Sequence, residues 1–487
     1  MFNLHETQAE TAAHNGYRRA LKTRHVQLIA LGGIIGSGYF LGTGAMINQA
    51  GPSVFLAYIL GGIIIYLTML CMGELAVAIP VSGSFITYTK EFISPALACG
   101  VGWSYWASWV AYIPAECVAG GIIMEHFTGI NGYIWAIGFG LLITYINLAK
   151  VDAFGEIEFW LAIIKILALV GFVVLALLIF FDLLPRADRH GIIGTKYLLD
   201  QGGLFPHGFL EFLSAMVLLL VNYQGSEIIG LAAGESADPA RMIPAAIRNV
   251  TWRILFIYII PVFCLVLIFP WNKAGISNSV FADALDFYGL KWAGAVAGFV
   301  TLTATLSCSN SGLYGIVRSL QALADNGMAP RKLARLNHNA VPQNACIVTL
   351  IAIWILLLTG YFFGQSTLYI SLLLVSGFTG AIAWISLCWA QINFRRRLLA
   401  EGYTVEVLRY KTPGSPYTGI IAIILMVICL FLLSMNKDIC YRIAFAIGFA
   451  TLIIPMLVYK VLIAYRNRKL QKYDQLIKLI NPISEQL

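Results

Sequence analysis

Apolar runs of about 18 residues or more recur along the whole chain, separated by short polar segments. Each run is long enough to cross a hydrocarbon core about 30 Å thick at about 1.5 Å of rise per helical residue. The pattern predicts twelve helices, over residues 25–47, 53–79, 97–124, 133–149, 155–181, 209–234, 251–270, 291–322, 343–360, 367–391, 415–434 and 440–464. The fold class is all-α and integral to a membrane, since only helices and closed barrels satisfy their backbone groups inside lipid. What lies outside the helices is small: a tail over 1–24, another over 465–487, and loops mostly under about 25 residues. No soluble catalytic or nucleotide-binding domain fits there, so function is expected within the bilayer. The first apolar run follows a polar stretch without a cleavage pattern, so no removable signal peptide is expected.

Composition agrees with the pattern. Of 487 residues, 59% are hydrophobic and 11% charged, against about a quarter charged in an ordinary soluble domain. The net charge of +8 resides in loops rather than on one stripe, so it predicts topology and no nucleic-acid partner. With the N-terminus inside, 24 of the 32 Lys and Arg fall on the cytoplasmic side, 7 outside, and Lys165 alone lies mid-span. That bias is the one expected when positive loops stay in the cytoplasm, and it places both termini there. The nine cysteines stand singly in or beside apolar runs, with no CxxC pair or nearby His, and read as buried free thiols. No GxxxxGK[ST], GxSxG or HExxH motif is present, which argues against an ATP-driven pump and against an enzyme. Energy would come from an ion gradient, with no cofactor.

Two of the runs are interrupted. The first contains Gly32-Gly33-Ile34-Ile35-Gly36-Ser37-Gly38, where each glycine weakens a helix by about 1 kcal/mol relative to alanine. Unwound backbone at membrane depth is tolerated where it lines a polar cavity, and free N–H groups at Gly36, Ser37 and Gly38 would favour a carboxylate. Close packing through Gly32 and Gly36, spaced small-xxx-small, is the competing explanation. The sixth run is broken by Asn222-Tyr223-Gln224-Gly225-Ser226-Glu227. Breaks in helices one and six are what a five-plus-five inverted repeat gives, and the carbonyls around Gly33 to Ile35 and Tyr223 would suit an ammonium group. A zwitterion fits both poles.

Four ionisable side chains are read inside spans, Glu74, Glu116, Lys165 and Glu227, each costing about 2.5–3.5 kcal/mol or more unless paired or hydrated. Lys165 lies about 15 Å into the fifth helix, near the bilayer centre, and could load and release a proton or hold helices together as a fixed charge. Glu116 sits in a third helix rich in aromatics and could sense a substrate amine, share a proton or bridge helices as a neutral carboxyl. Glu227 closes the second break, which favours substrate binding or proton movement. For Glu74 an ion pair with a loop arginine is expected.

Several segments carry a family resemblance: Arg19-Ala-Leu-Lys-Thr-Arg-His25, Gly32 to Gly38, Gly73-Glu-Leu-Ala76 with Pro80-Val-Ser-Gly-Ser-Phe85, and Glu158-Phe-Trp with Lys165. They continue with Tyr223 to Glu227, Ala232-Ala-Gly-Glu-Ser236, Asp238-Pro239, Ser311-Gly-Leu-Tyr314 and Arg395-Arg-Arg397. In these motifs the chain resembles the bacterial amino-acid transporter family of the amino acid–polyamine–organocation superfamily, which has the LeuT-type fold. The resemblance implies two five-helix repeats, over 25–181 and 182–391, followed over 392–464 by a cytoplasmic loop with helices eleven and twelve. It implies proton-coupled uptake of amino acids across the cytoplasmic membrane by alternating access, with exchange of amino acids or ligand sensing without flux as alternatives. The implied substrate-binding residues are Gly33, Ile34, Ile35, Gly36, Ser37, Gly38, Glu116, Tyr223, Gln224, Gly225, Ser226 and Glu227. Lys165 is implied to stand where sodium-coupled cousins hold an ion, with the hydroxyls of Ser307 and Ser311 as its neighbours. The small-molecule substrate and the lipid bilayer are the partners implied.

Overall fold

The computed structural model describes residues 35–81, 83–148, 154–184, 193–227, 239–276, 278–337 and 342–484. Gly33, Ile34 and the start of the first expected helix lie outside the described residues, as does the Ala232-to-Asp238 motif.

Among the described residues the chain is helical throughout its apolar runs and forms no strand. A π-helical turn over Gly38–Gly42 leads into α1 (Thr43–Ala50), then α2 (Val54–Ala78), α3 (Pro95–Thr128), α4 (Gly132–Leu148) and α5 (Phe154–Phe180). The sixth run gives a short helix over Phe209–Ser214 and α6 (Met216–Val221). After it come α7 (Pro239–Arg253, continued through a π-helical stretch over Ile254–Ile259 into Ile260–Ile268), α8 (Lys291–Asp325), α9 (Gln343–Phe363), α10 (Gln365–Ala400), α11 (Tyr417–Met435) and α12 (Ile439–Ser484). Among the described residues, nine helical stretches are long and apolar enough to cross a membrane, the first of them joining Gly38 to Ala78; Gly132–Leu148 and Phe209–Val221 are shorter apolar helices.

The helices outrun the hydrophobic pattern at two ends. α10 continues through Arg395-Arg396-Arg397 to Ala400 instead of stopping at 391, and α12 runs to Ser484 instead of 464. Arg, Leu, Lys and Gln are good helix formers in water as well as in lipid, so the edge of the apolar run marks the bilayer and not the end of the helix.

α3 is the centre of the bundle, packing against α4, α8, α10 and α12. α6 lies on α10, where a Cβ at Gly377 would come within 2.4 Å of the Val217 carbonyl oxygen. Only a small residue permits that approach, and it presses the broken sixth run against the interior. Around the outside, Ile351, Ile355 and Leu358 of α9 and Ile424, Val427 and Phe431 of α11 expose apolar surface. These are positions for lipid contact, and they show why hydropathy alone could locate the helices.

Candidate functional site

The first run is described from Ile35 onward. Ile35 and Gly36 are not helical, and the helix starts at Ser37 with a π turn from Gly38. Its first amide is already occupied: Ser37 N–H donates to both carboxylate oxygens of Glu116, at 3.0 and 2.9 Å. A start of helix offers unpaired donors to an anion, and here a protein carboxylate takes one of them. Gly36 makes this possible, because a Cβ there would lie 2.3 Å from Glu116 Oε1 and 2.6 Å from the Tyr112 hydroxyl oxygen. The side chain of Ser37 accepts a 3.2 Å bond from the Tyr369 hydroxyl of α10.

The sixth run breaks where its polar residues begin. α6 ends at Val221, and the amides of Asn222, Tyr223 and Gln224 turn back to the carbonyls of Leu219, Leu220 and Val221. Gly225 has φ +91°, a left-handed value that glycine adopts without strain. The side chains of the break are anchored one by one. Tyr223 donates to the Tyr58 carbonyl of α2 at 2.8 Å. Gln224 donates to the Ser376 carbonyl of α10 at 2.7 Å and accepts from the hydroxyls of Ser108 and Ser376. Ser226 donates to the Tyr223 carbonyl and accepts from the Arg253 guanidinium. Glu227 accepts from the Tyr105 hydroxyl at 2.9 Å, Trp384 Nε1 at 3.1 Å and the Gly225 amide at 3.0 Å.

The two breaks meet. A Cβ on Gly38 would stand 2.5 Å from Asn222 Oδ1, so the glycine of one interruption is in contact with the first polar residue of the other. Asn222 donates to the Tyr58 hydroxyl at 2.6 Å, and that hydroxyl bonds Thr43 at 2.6 Å, while Asn222 Oδ1 is buried without a hydrogen bond. The junction therefore carries a helix-start amide, a carboxylate, an unpaired amide oxygen and several phenol hydroxyls in a buried interior.

Behind Glu116 lies Lys165 of α5, fully buried, with Nζ donating to the Ser307 hydroxyl at 2.9 Å. Ser307 in turn donates to Glu158 Oε2 at 2.5 Å. Ser311 is not a neighbour of the lysine in the way Ser307 is. It stands near the Glu158 carboxylate, outside hydrogen-bond geometry, with its hydroxyl unpartnered.

Of the residues expected at the site, Ile35, Gly36, Ser37, Gly38 and Glu116 come together, and Tyr223, Gln224, Gly225, Ser226 and Glu227 form the facing break. In the latter group the described side-chain oxygens and nitrogens are engaged with the protein. Three participants are given no role by the sequence. Glu158, two helical turns before Lys165 on the same face, was available from spacing alone. Asn222 stood in the polar run but looked no different from its neighbours. Arg253 was counted with the cytoplasmic arginines, whereas it is buried against the sixth-run break; its place at the start of an apolar run hid it. Glu74 has the ion pair expected, with Arg395 at 2.7 and 2.5 Å, reinforced by the Thr412 amide and Gln391. The cysteines are free, eight of them buried and Cys440 half-buried.

The family profile described as amino acid permease matches residues 25–478 of this chain. The amino-acid permease RocE of Bacillus subtilis is 39% identical over 463 residues, covering 94% of this chain and 98% of the relative. The lysine-specific permease LysP of Escherichia coli is 37% identical, with 87% and 88% covered. The gamma-aminobutyric acid permease of Bacillus subtilis is 33% identical, with 87% and 89% covered.

Proposed function

The chain belongs to the amino acid permease family, and we propose that it is a proton-coupled importer of L-amino acids, with its N- and C-termini in the cytoplasm. The observation that carries this reading is the contact between the two backbone breaks, Gly38 beside Asn222, with the Ser37 amide holding a carboxylate. A substrate carboxylate takes over or shares that amide, since the partial positive charge of a helix start serves one carboxylate as well as another. The substrate ammonium is received by oxygen atoms, of which Asn222 Oδ1 and the Glu116 carboxylate are the nearest. Lysine and gamma-aminobutyrate, named for two of the relatives, both offer these two groups, and the backbone contacts do not discriminate between them.

Coupling falls to Lys165. Its ammonium is bonded to Ser307 and lies in electrostatic range of Glu116, so a proton on or off the lysine alters the field at the substrate carboxylate's place. Alternating access follows by rocking the helices that carry the breaks against the rest of the bundle.

The test is uptake into reconstituted vesicles under an inward proton gradient, preceded by a thermal-shift screen of the common amino acids to find the ligand. Wild-type protein should concentrate that ligand, and Lys165→Ala should not. Concentrative uptake by Lys165→Ala at the wild-type level removes the coupling role. Uptake that requires a preloaded internal amino acid identifies an exchanger, and saturable binding without flux identifies a sensor.

A further inference from the structure

Glu158 has no part in holding substrate, yet it is a carboxylate at 2% exposure inside a membrane helix, and such a group has to be paired. Its bonded partner is the hydroxyl of Ser307, which simultaneously accepts from Lys165. One hydroxyl accepting from an ammonium and donating to a carboxylate is a two-sided bridge along which a proton can move without side-chain rotation.

The bridge has a direction. Glu158 stands seven residues, about 10 Å, nearer the start of α5 than Lys165. Beside it on α8 are Ser311 and Asn310, and Asn310 Oδ1 accepts at 2.8 Å from Asn147, at the last turn of α4. The end of α4 and the start of α5 lie on the face that the positive loops assign to the cytoplasm. Also within electrostatic range of Lys165 are Glu116 and Cys308, which stand beside Gly36 and the Ser37 amide. Lys165 is thus placed between a carboxylate that touches the binding site and one that touches a polar strip leading out.

We propose that Glu158 is the proton-release group of the transport cycle, receiving the Lys165 proton through Ser307 and passing it to cytoplasmic water. In the step, a Lys165 N–H bond breaks as the proton joins Ser307 Oγ, whose own proton leaves for Glu158 Oε2. An ammonium–carboxylate pair becomes an amine–carboxylic acid pair, and no isolated charge is left buried. Glu158 then loses its proton to water at the α4–α5 end. The lysine is recharged from the other side when the site opens there. This inference rests on the symport reading above.

The experiment compares two modes in the same vesicles, using the amino acid found by thermal shift. Glu158→Gln keeps the size of the side chain and an oxygen that can accept from Ser307 but cannot carry a proton. Net uptake driven by a proton gradient, with internal acidification followed by a trapped pH dye, should fall by about tenfold or more. Exchange of internal for external substrate, which needs no net proton release, should continue near the wild-type rate. Glu158→Asp should recover part of the net uptake, and Ser307→Ala should reproduce the loss. Wild-type net uptake and acidification by Glu158→Gln would overturn the relay. So would a parallel loss of both modes in Glu158→Gln and Glu158→Asp, which marks a structural charge. If wild-type uptake ignores the proton gradient, the symport reading fails and the relay fails with it, whereas failure of the relay alone shows only in the variants.

Discussion

Gly36 is the residue on which the site is tightest. Alanine there places a methyl group 2.3 Å from Glu116 Oε1 and 2.6 Å from the Tyr112 hydroxyl, so the carboxylate must leave the Ser37 amide or the strand must shift. Overpacking of this kind costs about 1–3 kcal/mol. Gly36→Ala is therefore expected to lower the melting temperature modestly and to weaken ligand binding by about tenfold or more, measured by thermal shift and by equilibrium binding. Unchanged affinity would show that ligand does not meet the Ser37 amide. The same residue illustrates what was legible. Four glycines in seven residues announce a backbone that does not propagate a helix, but nothing local announces that its first amide is claimed by a carboxylate 79 residues away. Glu116, Tyr112 and Asn222 gain their roles from packing between distant helices, and a periodic pattern records only which face is apolar. Glu158 differs, because its place two helical turns before Lys165 on one face is legible in the sequence.

At the scale of elements, one buried ion pair ties α2 to α10 and to the segment before α11. Glu74 is fully buried, and it accepts from Arg395 twice, from the Thr412 amide at 2.6 Å and from Gln391 at 2.8 Å. Removing the guanidinium leaves a buried carboxylate without its counter-charge, which costs on the order of 3–5 kcal/mol. Arg395→Met should lower the melting temperature in detergent strongly, and the double variant with Glu74→Gln should recover much of the loss. Equal loss in both would mean that the pair is not what holds these helices. A second element, the short helix Val280–Phe287, carries a pH response. Burial pushes the Asp283 carboxyl up to about 6, with His126 of α3 opposing, neighbouring Asp286 adding to the rise and Asn278 opposing through its hydrogen bond. Its folded value lies above the ordinary 3.8, so folding favours the protonated acid. The stability this gives is complete below about pH 4 and is lost as pH climbs through about 6, an effect on the order of 3 kcal/mol. Asp283→Asn should therefore flatten the decline of melting temperature between pH 4 and 6. A variant with the wild-type profile would rule out this group as the source. The positions of α2, α10 and α11 were readable from hydropathy, whereas the short helix Val280–Phe287 was not, nor were helix ends, because α10 and α12 leave the apolar region without leaving the helix.

For the molecule as a whole, alternating access requires that the junction of the two breaks face one side of the membrane at a time, and the chain contains its own reporter of that. Cys308 of α8 is fully buried, with Sγ 3.0 Å from the place a Cβ on Gly36 would take, so any path that reaches the substrate amide also reaches this thiol. In a background where the other eight cysteines are replaced, a small membrane-impermeant alkylating reagent should modify Cys308 only while the junction is open to the side of addition. Bound substrate should slow that reaction from either side, and an inward proton gradient should shift reactivity from one side to the other. The buried thiol reacts through its thiolate, so rates are compared at one fixed pH on the reagent side to separate access from ionisation. A Cys308 that reacts equally from both sides, with substrate making no difference, would describe a pore and not a carrier. Protection by substrate joined to a change of side with the gradient would tie the first break, and through Gly38 its contact with Asn222, to transport in a single measurement, because the Cys308 sulfur stands beside Gly36.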